Sequence, residues 1–157
     1  MEDISLHLLD VAENGLAAGA DRIEIRIVEE TEKDLMTIEI EDNGSGMDSQ
    51  VRSHAFDPFY TTKPGKRVGL GLPLLAQAAK EAGGDIGIQT APGRGTVVRG
   101  TFQLSHLDLK PLGDVLATIA ALACGHPDRQ IVYEHRRDGT SVYRWDSSEP
   151  TKQARTK

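Results

Sequence analysis

The chain has 157 residues, of which 38% are hydrophobic and 27% are charged, a composition ordinary for one soluble globular domain. Its net charge of −6 argues against a nucleic-acid partner, because no basic stripe is available to neutralise phosphates. The sequence shows no apolar run near the roughly 20 residues of a membrane span and no secretory signal, and its single cysteine, Cys124, excludes an internal disulfide, so we expect a cytoplasmic protein with no membrane partner.

The first predicted element is an amphipathic helix over residues 3–18. Its apolar side chains recur at helical spacing and form one stripe: Ile4, Leu8, Val11, Ala12 and Leu16. Asp10 and Asn14 lie a turn apart, about 40° around the helix axis and roughly opposite that stripe, with His7 beside them. A carboxylate and a carboxamide stacked in this way could hold a metal ion and a water, although a solvated polar face gives the same pattern.

A β-hairpin is predicted next, because residues 21–30 and 35–41 both alternate polar and apolar side chains and are joined by a short polar turn. The acid Asp42 follows the second strand, and Gly44 and Gly46 come directly after it. An acid at the end of a buried strand, followed by glycines, can aim its carboxylate into a cleft while the backbone approaches a ligand closely. An ordinary turn fits the same residues, so this stretch alone does not establish a ligand-binding site.

A short helix is expected within residues 47–55, followed by an irregular segment over residues 56–68. That segment combines aromatic residues with three cations, Lys63, Lys66 and Arg67. Its composition is typical of a loop that closes over an anionic ligand, and equally of a plain surface loop.

Gly69 and Gly71 lead into a helix that is predicted to end near Ala82, with Pro73 in its first turn. Glycines before a helix N-terminus leave backbone N–H groups and the positive end of the helix dipole available to phosphates. The stretch is not a dinucleotide-binding fingerprint, since the third glycine and a preceding strand are missing, and the sequence contains no P-loop.

The remaining predicted elements are two strands, a helix and a hairpin: residues 85–90, 96–104, 111–124, and 131–135 with 141–145. Gly95 tightens the turn between the two strands and lets Thr96 project from the start of the second. From Asp146 onward the chain is polar, and we expect it to be disordered.

Taken together, these stretches resemble the N, G1, F, G2 and G3 boxes of the GHKL ATP-binding fold, in the same order over residues 1–104. Type II topoisomerases, heat-shock chaperones, histidine kinases and mismatch-repair ATPases share that fold. The resemblance implies an α/β (α+β) two-layer sandwich, a mixed β-sheet with helices on one face. We expect an ATP-binding domain at 1–104, a C-terminal helix–hairpin extension packed on it at 105–146, and a polar tail at 147–157.

The resemblance implies ATP and Mg²⁺ as ligands and gives roles to the matching residues. Asn14 would coordinate Mg²⁺, Asp42 would accept a hydrogen bond from the adenine amino group, and Thr96 would reach the adenine directly or through water. Gly44 and Gly46 would line the adenine pocket. The other residues placed near the nucleotide are the three loop cations and three glycines: Lys63, Lys66, Arg67, Gly69, Gly71 and Gly95.

Asp10 is the candidate catalytic residue. GHKL members that activate a water or a hydroxyl carry an acid, usually Glu, four residues before the metal-binding Asn, and Asp10 is one methylene shorter. The run around Asn14 resembles the mismatch-repair and anti-sigma-factor-kinase branches, whereas the loop and the Gly69–Gly71 stretch resemble the histidine-kinase branch. We expect His7 to lie behind the site or at the surface and not to accept phosphate.

We expect no phosphoacceptor helix pair before the domain and no transducer domain after it. In this the chain resembles small stand-alone histidine-kinase-like ATPases. We therefore expect slow hydrolysis at most, in an ATP–Mg²⁺-binding regulatory protein that phosphorylates a protein partner or switches its grip on one. Two alternatives stay open: a non-catalytic ATP-sensing module, and a histidine-kinase catalytic domain acting on a phosphoacceptor in a separate chain. The partner and the oligomeric state, a homodimer included, are not determined by the sequence.

Overall fold

The computed structural model describes residues 3–57 and 71–149. Helices and strands within these ranges follow in the order α1 (Ile4–Ala17), β1 (Arg22–Glu30), β2 (Leu35–Asp42), α2 (Ser49–Ser53), α3 (Gly71–Glu81), β3 (Ile86–Thr90), β4 (Thr96–Gln103), α4 (Val115–Gly125), β5 (Gln130–Arg137) and β6 (Thr140–Asp146).

The strands form one six-stranded sheet in the order β3-β4-β2-β1-β5-β6. Neighbouring strands are antiparallel except for β1 and β5, which run parallel with Ile25 opposite Tyr133. The predicted mixed sheet in an α/β two-layer sandwich is confirmed. The hairpin β5–β6 extends the sheet beyond β1, so the C-terminal part of the chain continues the same layer.

The two faces of the sheet differ in chemistry because the strands alternate. On one face Ile23, Ile25 and Ile27 are fully buried in a single core with residues of α1, α3 and α4. On the other face Arg26 bonds the carboxylates of Glu39 and Glu41 on β2. Alternation therefore sends apolar side chains to the helices and leaves a charge-paired face open to solvent.

Helix α4 begins at Val115, four residues later than predicted. Asp114 caps it, since its Oδ1 accepts a 3.0 Å hydrogen bond from the Ala117 N–H. The preceding residues serve a different helix, because the Pro111 and Leu112 carbonyls accept 2.9 Å hydrogen bonds from the first N–H groups of α1. The helical pattern of the sequence does not reveal this competing use of backbone groups.

The last hairpin turns on Asp138 and Gly139, whose φ angles are 52° and 83°, the pair of positive values that a two-residue type I′ turn requires. The expectation of disorder from Asp146 onward is wrong for the first residues. Asp146 ends β6, is 5% exposed, and accepts a 2.9 Å hydrogen bond from the Ser148 N–H and others from Gln130. The rest of the predicted tail, residues 150–157, lies outside the described residues.

Candidate functional site

Asp42 lies at the end of β2, a central strand, with its side chain only half-buried. The N–H of Gly44 donates a 2.8 Å hydrogen bond to Oδ1, which fixes the carboxyl group just after the strand. Burial raises the pKa of Asp42 above its ordinary value, the Gly44 N–H opposes this, and the charge of Glu41 adds to it. A partly desolvated carboxylate of this kind interacts strongly with a donor that enters its cavity.

Helix α1 packs directly against this carboxyl group because residue 15 is glycine. A β-carbon on Gly15 would lie 2.8 Å from Oδ2 of Asp42 and 2.9 Å from Cδ1 of Ile23, closer than real contacts allow. Glycine inside a helix costs about 1 kcal/mol relative to alanine. A glycine within a predicted helix is therefore the signal in the sequence that could have identified Gly15. The motifs do not include this residue.

A cavity lies between α1, the end of β2 with the loop that follows it, the start of β4 and the start of α3. Of the predicted site residues, Asn14, Asp42, Gly46 and Thr96 line it. The remaining lining residues were not predicted and are mostly apolar: Val11, Gly15, Ala18, Ile40, Met47, Leu72 and Val98. Apolar walls with a few placed polar groups are the usual composition of a small-molecule site, and they suit a flat aromatic ring.

Two polar groups of the cavity, those of Asp42 and Thr96, come from adjacent strands. Asp42 and Thr96 are direct partners in the antiparallel β2–β4 register. Thr96 is 8% exposed, and its Oγ1 lies 2.9 Å from Oγ1 of Thr90 at the end of β3. The sheet therefore holds a carboxylate and a hydroxyl side by side at one end of the cavity.

Three of the predicted glycines allow close backbone packing next to the cavity, and one of them, Gly46, lines it. Gly46 and Gly95 both have φ of 75°, which suits glycine, and β-carbons there would collide with the Ala91 and Asp42 carbonyls. A β-carbon on Gly44 would lie 3.0 Å from the Ala18 carbonyl oxygen. These positions draw the loop after β2 against α1 and the β3–β4 turn.

Gly71 and Asp10 meet where α3 crosses α1. A β-carbon on Gly71 would lie 2.6 Å from the β-carbon of Asp10 and 3.0 Å from the backbone nitrogen of Val11. Asp10 is partly exposed one turn before Asn14, which is exposed at the cavity. His7 is 3% exposed, so the expectation of a surface position is wrong and the alternative, a position behind the site, agrees with its burial.

Lys63, Lys66, Arg67 and Gly69 lie outside the described residues. Within 3–57 and 71–149, no group of three or more His, Cys, Asp or Glu side chains could hold a metal ion. The donor set at the cavity nevertheless fits Mg²⁺ bound together with a nucleotide, because this ion is typically held by one or two protein oxygens plus substrate phosphates and waters. Asn14 would supply one such oxygen, and substrate phosphates and waters would supply the others.

Comparison with known proteins identifies the family of the chain. The family of histidine kinase-, DNA gyrase B- and HSP90-like ATPases matches residues 2–106. The chain belongs to this family. One relative is the signal transduction histidine-protein kinase AtoS of Escherichia coli (strain K12). It is 38% identical to this chain over 108 residues, which cover 68% of this chain and 17% of AtoS.

A second relative of the chain is the sensor histidine kinase YxdK of Bacillus subtilis (strain 168). It is 33% identical to this chain over 90 residues, which cover 55% of this chain and 27% of YxdK. The chain thus spans about a quarter or less of the length of these two relatives. Within the described residues, no helix is long and apolar enough to cross a membrane.

Solved structures share the fold of this ATPase domain. The N-terminal domain of a DNA repair protein superposes with a TM-score of 0.65 at 16% identity, covering 92% of this chain and 53% of that one. The Aquifex aeolicus MutL ATPase domain complexed with ADP gives 0.53 at 16% identity, covering 98% and 67%.

Proposed function

We propose that this chain is an ATP–Mg²⁺-binding regulatory protein that phosphorylates a protein partner or changes its contact with one according to the bound nucleotide. The observation that carries the proposal is the placement of Asp42 and Asn14 at a single cavity. Membership of an ATPase family and a structural neighbour that binds ADP support adenine nucleotide as the occupant.

The cavity suits an adenine base at its Asp42 end. When ionised, the Asp42 carboxylate can only accept hydrogen bonds, so it favours a ligand with an amino group at that position. The apolar walls of Ile40, Met47 and Val98 provide the surfaces that cover a ring. Asn14, on α1, then lies on the side where the phosphates and their Mg²⁺ would extend.

Asp10 is the residue that we propose for proton transfer or acceptor orientation. It lies one turn before Asn14 on α1 and borders Gly71 at the start of α3 as described. If phosphate is transferred, Asp10 orients or deprotonates the acceptor, and Lys63, Lys66 and Arg67 offset the developing phosphoryl charge. Bound Mg²⁺ would neutralise phosphate charge and align the terminal phosphoryl group.

A second candidate function is a histidine-kinase catalytic domain that serves a phosphoacceptor in a separate chain. It is favoured by the relatives AtoS and YxdK, whose names describe histidine kinases. In that case the acceptor imidazole is itself the nucleophile, and Asp10 has no role as a base. A non-catalytic ATP-sensing module is the third candidate.

We further propose the division into an ATP-binding domain at 1–104 and a C-terminal extension at 105–146.

The first test is ATP titration by calorimetry in the presence of Mg²⁺. We expect the wild-type protein to bind, and the double variant Asp42→Ala with Asn14→Ala to lose at least about a hundredfold in affinity. Glu41→Gln is the matched control, because this neighbouring acid points to the opposite face and pairs with Arg26. Micromolar affinity retained by the double variant would contradict the site.

The second test separates the candidates through Asp10→Asn, with Glu13→Gln on the same helix as control. Unchanged ATP affinity with at least about a hundredfold slower hydrolysis or transfer supports Asp10 as the base. Unchanged turnover removes that role. Phosphate transfer to a histidine-containing acceptor that survives Asp10→Asn favours the histidine-kinase candidate.

A further inference from the structure

The hydroxyl of Thr90 occupies a junction between three parts of the nucleotide site. Its Oγ1 lies 2.9 Å from the Met47 nitrogen, 2.9 Å from the Gly95 carbonyl oxygen, and 2.9 Å from Oγ1 of Thr96. Thr90 itself does not line the cavity described above, whereas Met47 and Thr96 do.

The chemistry of these partners determines which way each proton points. A threonine hydroxyl offers one proton and two lone pairs. The Met47 N–H can only donate, so it takes one lone pair of Thr90, and the Gly95 carbonyl can only accept, so it takes the Thr90 proton. The lone pair that remains on Thr90 must then accept the proton of Thr96.

We infer that Thr90 is a positioning residue that locks the Thr96 hydroxyl as a hydrogen-bond acceptor toward the cavity and thereby contributes to selection of a 6-amino purine. With its own proton committed to Thr90, Thr96 presents only lone pairs to a ligand. Asp42, its cross-strand partner, also presents acceptors when ionised. This inference rests on the proposed function, namely that the cavity binds a purine nucleotide.

Two acceptors on adjacent strands favour a group that carries two protons, which an exocyclic amine does. A base that lacks the amine leaves these two acceptors without its donors, and such unpaired groups are a strong source of discrimination. Without Thr90, the Thr96 hydroxyl can rotate and donate its proton elsewhere, so the amine contributes less to binding.

The test compares the affinities of ATP and purine riboside 5′-triphosphate, which differ only by the amine, for the full chain with Mg²⁺. The wild-type protein should prefer ATP, and Thr90→Val should reduce that preference by about tenfold, the size of one lost hydrogen bond. Thr90→Ser should restore it. The loss of the Met47 contact affects both nucleotides equally and cancels in the ratio.

Thr101→Val is the matched control, because its Oγ1 accepts a 3.1 Å hydrogen bond from the Asp85 N–H at the other end of the same β3–β4 hairpin. It should leave the ratio unchanged. If Thr90→Val does not fold, Thr90→Cys gives the same comparison, since a thiol is a weak donor and acceptor. An unchanged ratio of the two affinities in a folded Thr90 variant that still binds ATP would overturn the role of Thr90 and leave the proposed function standing. A wild-type protein that binds neither nucleotide overturns the proposed function.

Discussion

Gly15 and Asp42 approach so closely that a single added methyl group on Gly15 would contact the carboxyl oxygen of Asp42 at 2.8 Å. The contact joins the helix that carries Asn14 to the strand that carries Asp42. The distance between the two groups proposed for base and metal binding is therefore set by the absence of a side chain.

Gly15→Ala should weaken ATP binding by at least about tenfold and destabilise the protein by about 1–3 kcal/mol, because α1 or Asp42 must move to relieve the overlap. Calorimetric titration and urea unfolding measure the two effects. Gly125→Ala at the end of α4 is the control, since a β-carbon there meets nothing within 4 Å. Equal affinities for wild type and Gly15→Ala would show that the contact does not position the site.

Gly71→Ala should separate α3 from α1, because the new β-carbon would lie 2.6 Å from the β-carbon of Asp10. Leu72, which lines the cavity, would move with α3. We expect a loss of about 1–3 kcal/mol in unfolding free energy and weaker nucleotide binding. Gly87→Ala in β3, where a β-carbon has open space, should not affect nucleotide binding. The idea fails if both variants bind ATP like the wild type.

Asp42→Asn should weaken ATP binding at pH 7 yet stabilise the protein without ligand. Burial raises the pKa of Asp42 above 3.8, so the folded protein favours the protonated carboxyl group. The stability that the protonated group contributes is fully present below the unfolded-state pKa and is lost as pH rises through the folded-state pKa. A neutral amide avoids that loss, and the gain should shrink toward pH 3. Melting temperatures of both proteins from pH 3 to 7 check the sign. A destabilised Asp42→Asn at pH 7 contradicts it.

Glu29→Gln should cost about 1–2 kcal/mol at pH 7, because its carboxylate lies 2.6 Å from His135 Nε2 and 3.3 Å from Arg137. Burial alone would raise the pKa of Glu29, but these hydrogen bonds outweigh it and lower the pKa below 4.5. The stabilisation is thus present above pH 4.5 and is lost as pH falls through the folded-state pKa.

Urea unfolding at pH 7 and pH 3 measures this effect, and the difference between wild type and Glu29→Gln should be smaller at the lower pH. The adjacent acid provides the control. Glu30 pairs with Lys33 at an exposed position, so Glu30→Gln should change stability by less than about 0.5 kcal/mol. A difference for Glu29→Gln that does not depend on pH would exclude the carboxylate charge as its source.

Local patterns in the sequence predicted the elements well. Alternation identified β1 and its buried face, with Ile23, Ile25 and Ile27 all fully buried, and Asp138-Gly139 identified the last hairpin. These features depend on interactions between near neighbours, which spacing and residue type express directly.

Features that depend on contacts between distant segments were not predicted from spacing. Helix α4 starts at Val115 because carbonyl groups before it accept hydrogen bonds from α1. The position of Asp146 depends on a hydrogen bond from Gln130. The apolar walls of the cavity, Met47 and Leu72 among them, come from separate elements with no shared motif. Resemblance supplied Asp42, Asn14 and Thr96, whereas the role of Thr90 follows only from its three partners in space.

Both ends of α1 are fastened by residues that follow the segment matched by the family. Its first N–H groups bond the Pro111 and Leu112 carbonyls, and Arg129 donates to the Leu16 and Ala20 carbonyls near its other end. A fragment cut after residue 106 would leave α1 frayed at both termini and β1 with an open edge. The position of α1, and of Asn14 on it, therefore depends on contacts from beyond the proposed ATP-binding domain at 1–104. A ligand that loosened the C-terminal segment would act on Asn14 through α1.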